Sequence, residues 1–162
     1  MSERQTSAYR VTLRPARRED SRSLWEWRND PETREASFHT EMIPFETHQR
    51  WFESRLEAPN TEILIILDLQ GKAIGYVRFQ IAEFEAEVSV ALDAQERGKG
   101  YGPAAVRQGV EILLAREDLD RVVALIKEGN TSSVRTFERA GFTRRGTKRV
   151  SGSEALEMVR SR

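Results

Sequence analysis

Apolar positions along the chain change their spacing several times, and each change marks an element. Val11 to Arg14 form a short segment halted by Pro15, which predicts a first strand. Arg17 to Arg28 read as a helix, with acidic residues early and Leu24 and Trp27 on one face. Asn29 to Phe38, punctuated by Pro31, read as a turn and a short helical piece. A further helix follows Pro44, with Phe45, Phe52 and Leu56 near one stripe beside Trp51. The middle of the chain switches to strand patterns. Ile63 to Leu69 are a nearly continuous apolar run, the mark of a buried strand. Gly71 turns the chain, and Lys72 to Ile81 complete a hairpin. From Ala86 to Leu92 the alternation is clean: Ala86, Val88, Val90 and Leu92 face one way, Glu85, Glu87, Ser89 and Ala91 the other.

Helical spacing returns after Gly102. Pro103 suits a first helical turn, and Val106, Val110, Leu113 and Leu114 share a face. Arg121 to Lys127 predict another strand, and Asn130 to Ala140 a short helix closed by Gly141. From Phe142 onward two strands flank a turn at 151–153. The resulting order is strand, two helices, three strands, helix, strand, helix, two strands, a mixed α/β domain.

Composition narrows the picture by exclusion. With 162 residues the chain suits one core. Lys plus Arg and Asp plus Glu number 26 each, so net charge offers no case for a nucleic-acid or anionic-membrane partner. The absence of cysteine excludes a disulfide framework, cysteine zinc sites and a cysteine nucleophile, and no metal site is expected. The polar start and the lack of any apolar run near ~18 residues lead to the expectation of a cytoplasmic protein with a loose tail over residues 1–8.

The strongest local motif is Arg97-Gly98-Lys99-Gly100-Tyr101-Gly102, placed between a strand and a helix. Glycines there let the backbone approach a ligand, helix-start N–H groups favour an anion, and Arg97 and Lys99 add positive charge. The physical reading is a pyrophosphate cradle. The spacing is neither that of a dinucleotide fold nor that of a nucleotide P-loop.

This R-x-x-G-x-G pattern resembles the acetyl-CoA signature of the GNAT superfamily, the GCN5-related N-acetyltransferases. Asn130-Thr131-Ser132-Ser133, followed by Phe137-Glu138-Arg139-Ala140-Gly141-Phe142, resembles a second segment of that family. Trp27-Arg28-Asn29-Asp30-Pro31, then Arg34, His48 with Trp51-Phe52, and Ile74-Gly75-Tyr76-Val77-Arg78-Phe79 resemble one branch. That branch includes the N-acetyltransferases of nucleotide-linked amino sugars in pseudaminic acid biosynthesis. The resemblance implies a largely antiparallel central sheet with one splayed parallel strand pair, flanked by helices, and a single acetyltransferase domain over residues 9–162.

It also implies a chemistry. Acetyl-CoA would be the co-substrate and a small-molecule amine the acceptor, with transfer in a ternary complex; a homodimer is left open. Main-chain groups of Val90, Ala91 and Leu92 would pair with the pantetheine arm, residues Arg97 to Gly102 would hold the pyrophosphate, and Asn130 and Ser133 would touch the far end of the cofactor. Glu87 is the first candidate for general base, with Glu85 and His48 behind it. Arg28, Arg34, Tyr76 and Arg78 are candidates for acceptor binding, the arginines through phosphate or carboxylate. Many members carry Tyr at the position of Phe137, where a phenol could protonate the leaving thiolate; Phe cannot. A polyamine, a protein N-terminus or a non-catalytic acetyl-CoA-binding role are the alternatives, the first supported by Glu83, Glu85 and Glu87.

Overall fold

The computed structural model describes residues 10–162. The tail expected over residues 1–8 lies outside them. Strand β1 (Thr12–Pro15) is followed by helices α1 (Ser21–Asn29), α2 (Pro31–Ala36) and α3 (Phe45–Glu57). Strands β2 (Thr61–Leu67), β3 (Ala73–Ala82) and β4 (Glu85–Leu92) come next. Helix α4 (Tyr101–Leu114), strand β5 (Arg121–Lys127), helix α5 (Thr131–Arg139) and strands β6 (Thr143–Val150) and β7 (Ser153–Ser161) complete the chain.

All seven strands join one sheet in the order β1-β2-β3-β4-β5-β7-β6. Every pairing is antiparallel except that of β4 with β5. This is the expected mixed α/β architecture. Helices cover both faces. On one face the apolar stripe of α4, Val106, Val110 and Leu113, packs with Val77, Phe79, Val88, Val122 and Phe137. Gly109 permits this closeness, since a Cβ there would lie 3.1 Å from the Phe79 ring. On the other face Leu24 and Trp27 of α1 and Phe52 of α3 pack with Ile63, Ile65, Tyr76 and Ala91. The alternation read in β4 is thus real on both sides: its even positions serve one layer and Ala91 the other.

Among the boundaries that differ from expectation, two have a clear local reason. Helix α1 begins at Ser21 rather than Arg17, because Asp20 accepts from the Arg17 N–H at 2.7 Å and pairs with Arg14 at 2.8 Å, which pins a single 3-10 turn. Strand β2 ends at Leu67 rather than Leu69. Asp68 accepts from the N–H groups of Gln70 and Lys72 at 3.0 and 2.9 Å and folds the chain into a turn through Gly71, whose φ is 83°. Leu69 stands exposed on that turn.

Candidate active site

The candidate site is where β4 and β5 part. β4 pairs with β3 along its whole length, but with β5 only from Glu85↔Arg121 to Glu87↔Val123. Beyond Glu87 the two parallel strands diverge. The Asp93 N–H donates to Ile74 of β3, whereas the Phe84 carbonyl accepts from Asp120 beside β5. Alternation between these points turns the main chain of Val90 and Leu92 toward the gap and that of Ala91 toward β3. Val90 therefore presents an N–H and a C=O to a side where no strand pairs with it. Of the three residues expected to meet the pantetheine arm, Val90 and Leu92 are the two directed there. The Leu92 carbonyl already accepts from Arg97 at 3.2 Å.

At the end of β4 the chain enters the glycine loop. Gly98 and Gly100 adopt φ of 76° and 88°, a left-handed region open to glycine at little cost. Helix α4 starts after Gly100, and among the described residues no N-cap side chain bonds its first N–H groups. A Cβ at Gly98 would meet nothing, and one at Gly100 only the Arg10 guanidinium at 3.2 Å, so the space above the helix start is open. Tyr101 lies beneath Arg10, at 5.7 Å from its guanidinium carbon. Lys99 is exposed and pairs with Glu96 at 3.3 Å.

Arg97 does something other than the sequence suggested. Its guanidinium binds Asp30 at 2.7 Å, Glu32, and the Thr33 hydroxyl at 2.9 Å. Two carboxylates already balance its charge, so it ties the start of α2 to the glycine loop instead of adding net charge there. Lys127, at the end of β5, donates to the carbonyls of Glu35 and Ser37 at 3.1 and 3.4 Å. Helix α2 is thereby strapped to both banks of the gap. The Trp27–Pro31 motif explains this roof residue by residue. Trp27 is buried beside Tyr76, Asn29 clamps Ile43 by accepting its N–H at 2.7 Å, and Asp30 caps α2 while gripping Arg97. Arg34 is likewise engaged by main chain, donating to Asn29 and Thr40 carbonyls at 3.0 and 3.3 Å, which orients it toward the α2 roof.

The candidate bases separate clearly. Glu87 is exposed on the α1–α3 face of the sheet, opposite Gln80 and at the last rung before the gap, and among the described residues it is in no ion pair. Glu85 is held by Arg121 at 2.7 Å and Arg145 at 3.7 Å, which makes it an ion-pair partner of the sheet. His48 is 1% exposed, so it cannot reach a substrate. Its Nε2–H donates to the Ser21 carbonyl at 3.1 Å, and the ring stacks on Phe52. Burial, reinforced by the charge of Arg28, lowers its pKa to about 4, so the ring is neutral.

Asn130 and Ser133 are bound to each other. Asn130 caps α5 by accepting from the Ser133 N–H at 3.1 Å and donates to its hydroxyl at 3.0 Å. Phe137 is buried edge-to-face against Phe142, with ring centres 5.2 Å apart. Tyr76 is buried too, and that burial raises its pKa against the opposing pull of Arg78 and Arg28. One arrangement escaped sequence reading: the Trp51 ring lies under two guanidinium groups, Arg28 at 4.7 Å and Arg78 at 5.3 Å. Helical spacing places Trp51 beside the apolar stripe and gives no sign of the two cations.

A mixed sheet with one parallel pair that opens beside a glycine-preceded helix start leaves room for an extended, anionic ligand. The chain belongs to the GNAT acetyltransferase family: the model of the acetyltransferase (GNAT) domain matches residues 10–143. It is accordingly an N-acetyltransferase with acetyl-CoA as co-substrate. Among similar proteins is the aminoglycoside N(6')-acetyltransferase type 1 of Klebsiella pneumoniae, 28% identical over 168 residues, covering 94% of this chain and 83% of that one. A mycothiol acetyltransferase of Salinispora arenicola is 30% identical over 108 residues, covering 59% of this chain and 35% of that protein. The structure of aminoglycoside acetyltransferase AAC(6')-Ib in complex with coenzyme A and kanamycin superposes with a TM-score of 0.82, at 25% identity, over 94% of this chain and 95% of the other. These relatives do not single out the nucleotide-linked amino-sugar branch. Among the described residues, no helix is long and apolar enough to cross a membrane.

Proposed function

We propose that the chain transfers an acetyl group directly from acetyl-CoA to the primary amine of an amino sugar, carried on a nucleotide. The observation that carries the transfer reading is the gap between β4 and β5, with the Val90 main chain on its edge and the open start of α4 beside it. The amino-sugar reading draws support from the Trp27–Pro31 and Ile74–Phe79 segments. It is consistent with relatives named for aminoglycosides, which are themselves amino sugars.

In this account the Gly98–Gly102 amides and the dipole of α4 hold the pyrophosphate. Val90 pairs with the pantetheine arm as an added strand would. Glu87 accepts the amine proton through a water, from the face opposite α4. A hexose amine is less basic than a lysine, whose reference pKa is about 10.4, so more of it is neutral near pH 7 and a water-relayed carboxylate suffices. A main-chain N–H in the gap stabilises the oxyanion; losing such a donor costs ~3 kcal/mol. Water protonates the leaving thiolate, since Phe137 has no proton to give.

Calorimetric titration with acetyl-CoA, paired with a free-thiol assay across amines, tests this reading. Binding that Gly100→Asp abolishes, with thiol release dependent on a UDP-linked 4-amino sugar, is expected. Clear preference for spermidine, an aminoglycoside or an N-terminal peptide in kcat/KM would reject the amino-sugar acceptor. Absence of any acetyl-CoA binding would reject the transfer reading itself.

A further inference from the structure

We propose that Arg28 and Arg78, stacked on Trp51, form a subsite for a phosphate oxyanion on the acceptor. The inference rests on the acetyl-transfer reading of the β4–β5 gap and names the chemistry its acceptor must carry. Both guanidinium carbons lie close to one indole, at 4.7 and 5.3 Å from the ring centre. Among the described residues neither arginine is in an ion pair. This sets them apart from the other arginines of the mouth, because Arg97 is held by two carboxylates and Arg34 by two carbonyls. Arg78 makes one weak contact, donating to the Ser89 hydroxyl at 3.5 Å.

Two like charges held together in a half-buried place repel each other and lose hydration. Burial, joined by the charge of Arg78, pushes the Arg28 guanidinium below its ordinary pKa. The indole face offsets part of this. A bound oxyanion offsets the rest, since two guanidinium forks match phosphate oxygens. Tyr76, two residues before Arg78 on the same strand face, closes the buried side of the subsite.

The placement gives a reach. Arg78 is paired with Ser89, and Gln80 with Glu87, so the subsite is two residues along the strand from the base. At a rise of about 3.4 Å per residue that is ~7 Å. A phosphate on the far carbon of the same sugar ring as the amine spans such a distance. On β4 the acid closest in register is Glu87, a diagonal neighbour that forms no ion pair with Arg78. A polycationic amine meets net positive charge here and is disfavoured.

The same oxyanion could come from a sugar monophosphate or from a sugar nucleotide, and the test separates them. kcat/KM would be compared for a hexosamine, its 1-phosphate, a UDP-linked amino sugar, an amino-uronic acid and a polyamine. Phosphorylated acceptors should exceed the plain hexosamine by about 10-fold or more, the scale of a charge-assisted hydrogen bond. Arg78→Met and Arg28→Met should each narrow that ratio, while Arg78→Lys should keep more of it than Arg78→Met. Preference for the diphosphate over the monophosphate would assign the sugar nucleotide.

A binding arm decides the point even without turnover. With the protein saturated in CoA, so that the cofactor cradle is full, hexosamine 1-phosphate should quench tryptophan fluorescence and Arg78→Met should weaken that binding. Equal handling of phosphorylated and plain acceptors, preference for the uronic acid or polyamine, or phosphate-independent binding would overturn the subsite. Normal acetyl-CoA binding in the same samples would leave the transfer reading intact, whereas its absence would remove the reading on which the subsite rests.

Discussion

Replacing His48 by Gln tests whether that ring is structural or chemical. In the fold the ring is enclosed, donates through Nε2 to Ser21, stacks on Phe52, and leaves Nδ1 buried without a hydrogen-bond partner among the described residues. Burial first, and Arg28 second, lower its pKa from 6.5 to about 4. Above pH 6.5 the ring is neutral folded and unfolded, and its protonation has no effect on stability. Between those values the unfolded chain takes up a proton that the folded chain refuses, so stability falls as pH falls. The full loss is ~3 kcal/mol, of which about 2.5 is expressed by pH 4.5. Asp20, Asp30 and Glu157 also titrate below their ordinary values and contribute to acid sensitivity, but only around and below 3.8 to 4.5. The comparison of wild type with His48→Gln isolates the ring.

Urea unfolding from pH 7.5 to 4.5 is the assay. At pH 7.5 the variant should be less stable by about 1 kcal/mol, the scale of one disturbed hydrogen bond. By pH 4.5 the order should reverse. Parallel stability profiles, or a His48 titration near 6.5 by NMR, would refute the reasoning. The same variant should keep kcat within a few-fold; loss of an acid limb from the kcat/KM profile would return His48 to the list of bases.

Other outcomes follow from single contacts. Glu87→Gln should lower kcat by about 10²-fold while leaving acetyl-CoA affinity unchanged, measured by thiol release and calorimetry. Arg97→Met frees Asp30 and Glu32 and unties α2 from the cofactor loop; stability should fall by about 2 kcal/mol in urea unfolding and acetyl-CoA affinity should fall with it. Gly75→Ala places a Cβ 2.3 Å from the Ala91 carbonyl oxygen and 3.0 Å from the Leu92 Cα, so β4 must shift beside the gap. A loss of ~1–3 kcal/mol is expected, with weakened cofactor binding.

What the sequence disclosed was whatever is written in local periodicity. The alternation of β4, the Val106–Leu113 stripe of α4 and the strand–glycine–helix junction at Gly98–Gly102 are each contained in a few consecutive residues. Even β6, exposed along almost its whole length, was located by the turn that joins it to β7. The site's long-range pairings were not legible. Arg97 meets Asp30 from 67 residues away, and nothing in either segment announces the partner. Charge alone made Arg34, Arg28 and Arg78 look equivalent, yet main-chain carbonyls take one and an indole gathers the other two. His48 and Trp51 share a helical stripe in the sequence, but only the first is enclosed. The gap itself depends on a divergence between strands joined through α4, which no single-segment pattern encodes.

The central claim is that acetyl transfer occurs in the opening between β4 and β5, and a crystal structure of the chain with acetyl-CoA tests it most directly. The account predicts a pantetheine amide hydrogen-bonded to the Val90 main chain, the pyrophosphate on the Gly98–Gly102 amides, and the thioester carbonyl facing Glu87. A cofactor bound elsewhere, or β4 and β5 paired shut past Glu87 in a complex that still turns over, would contradict it.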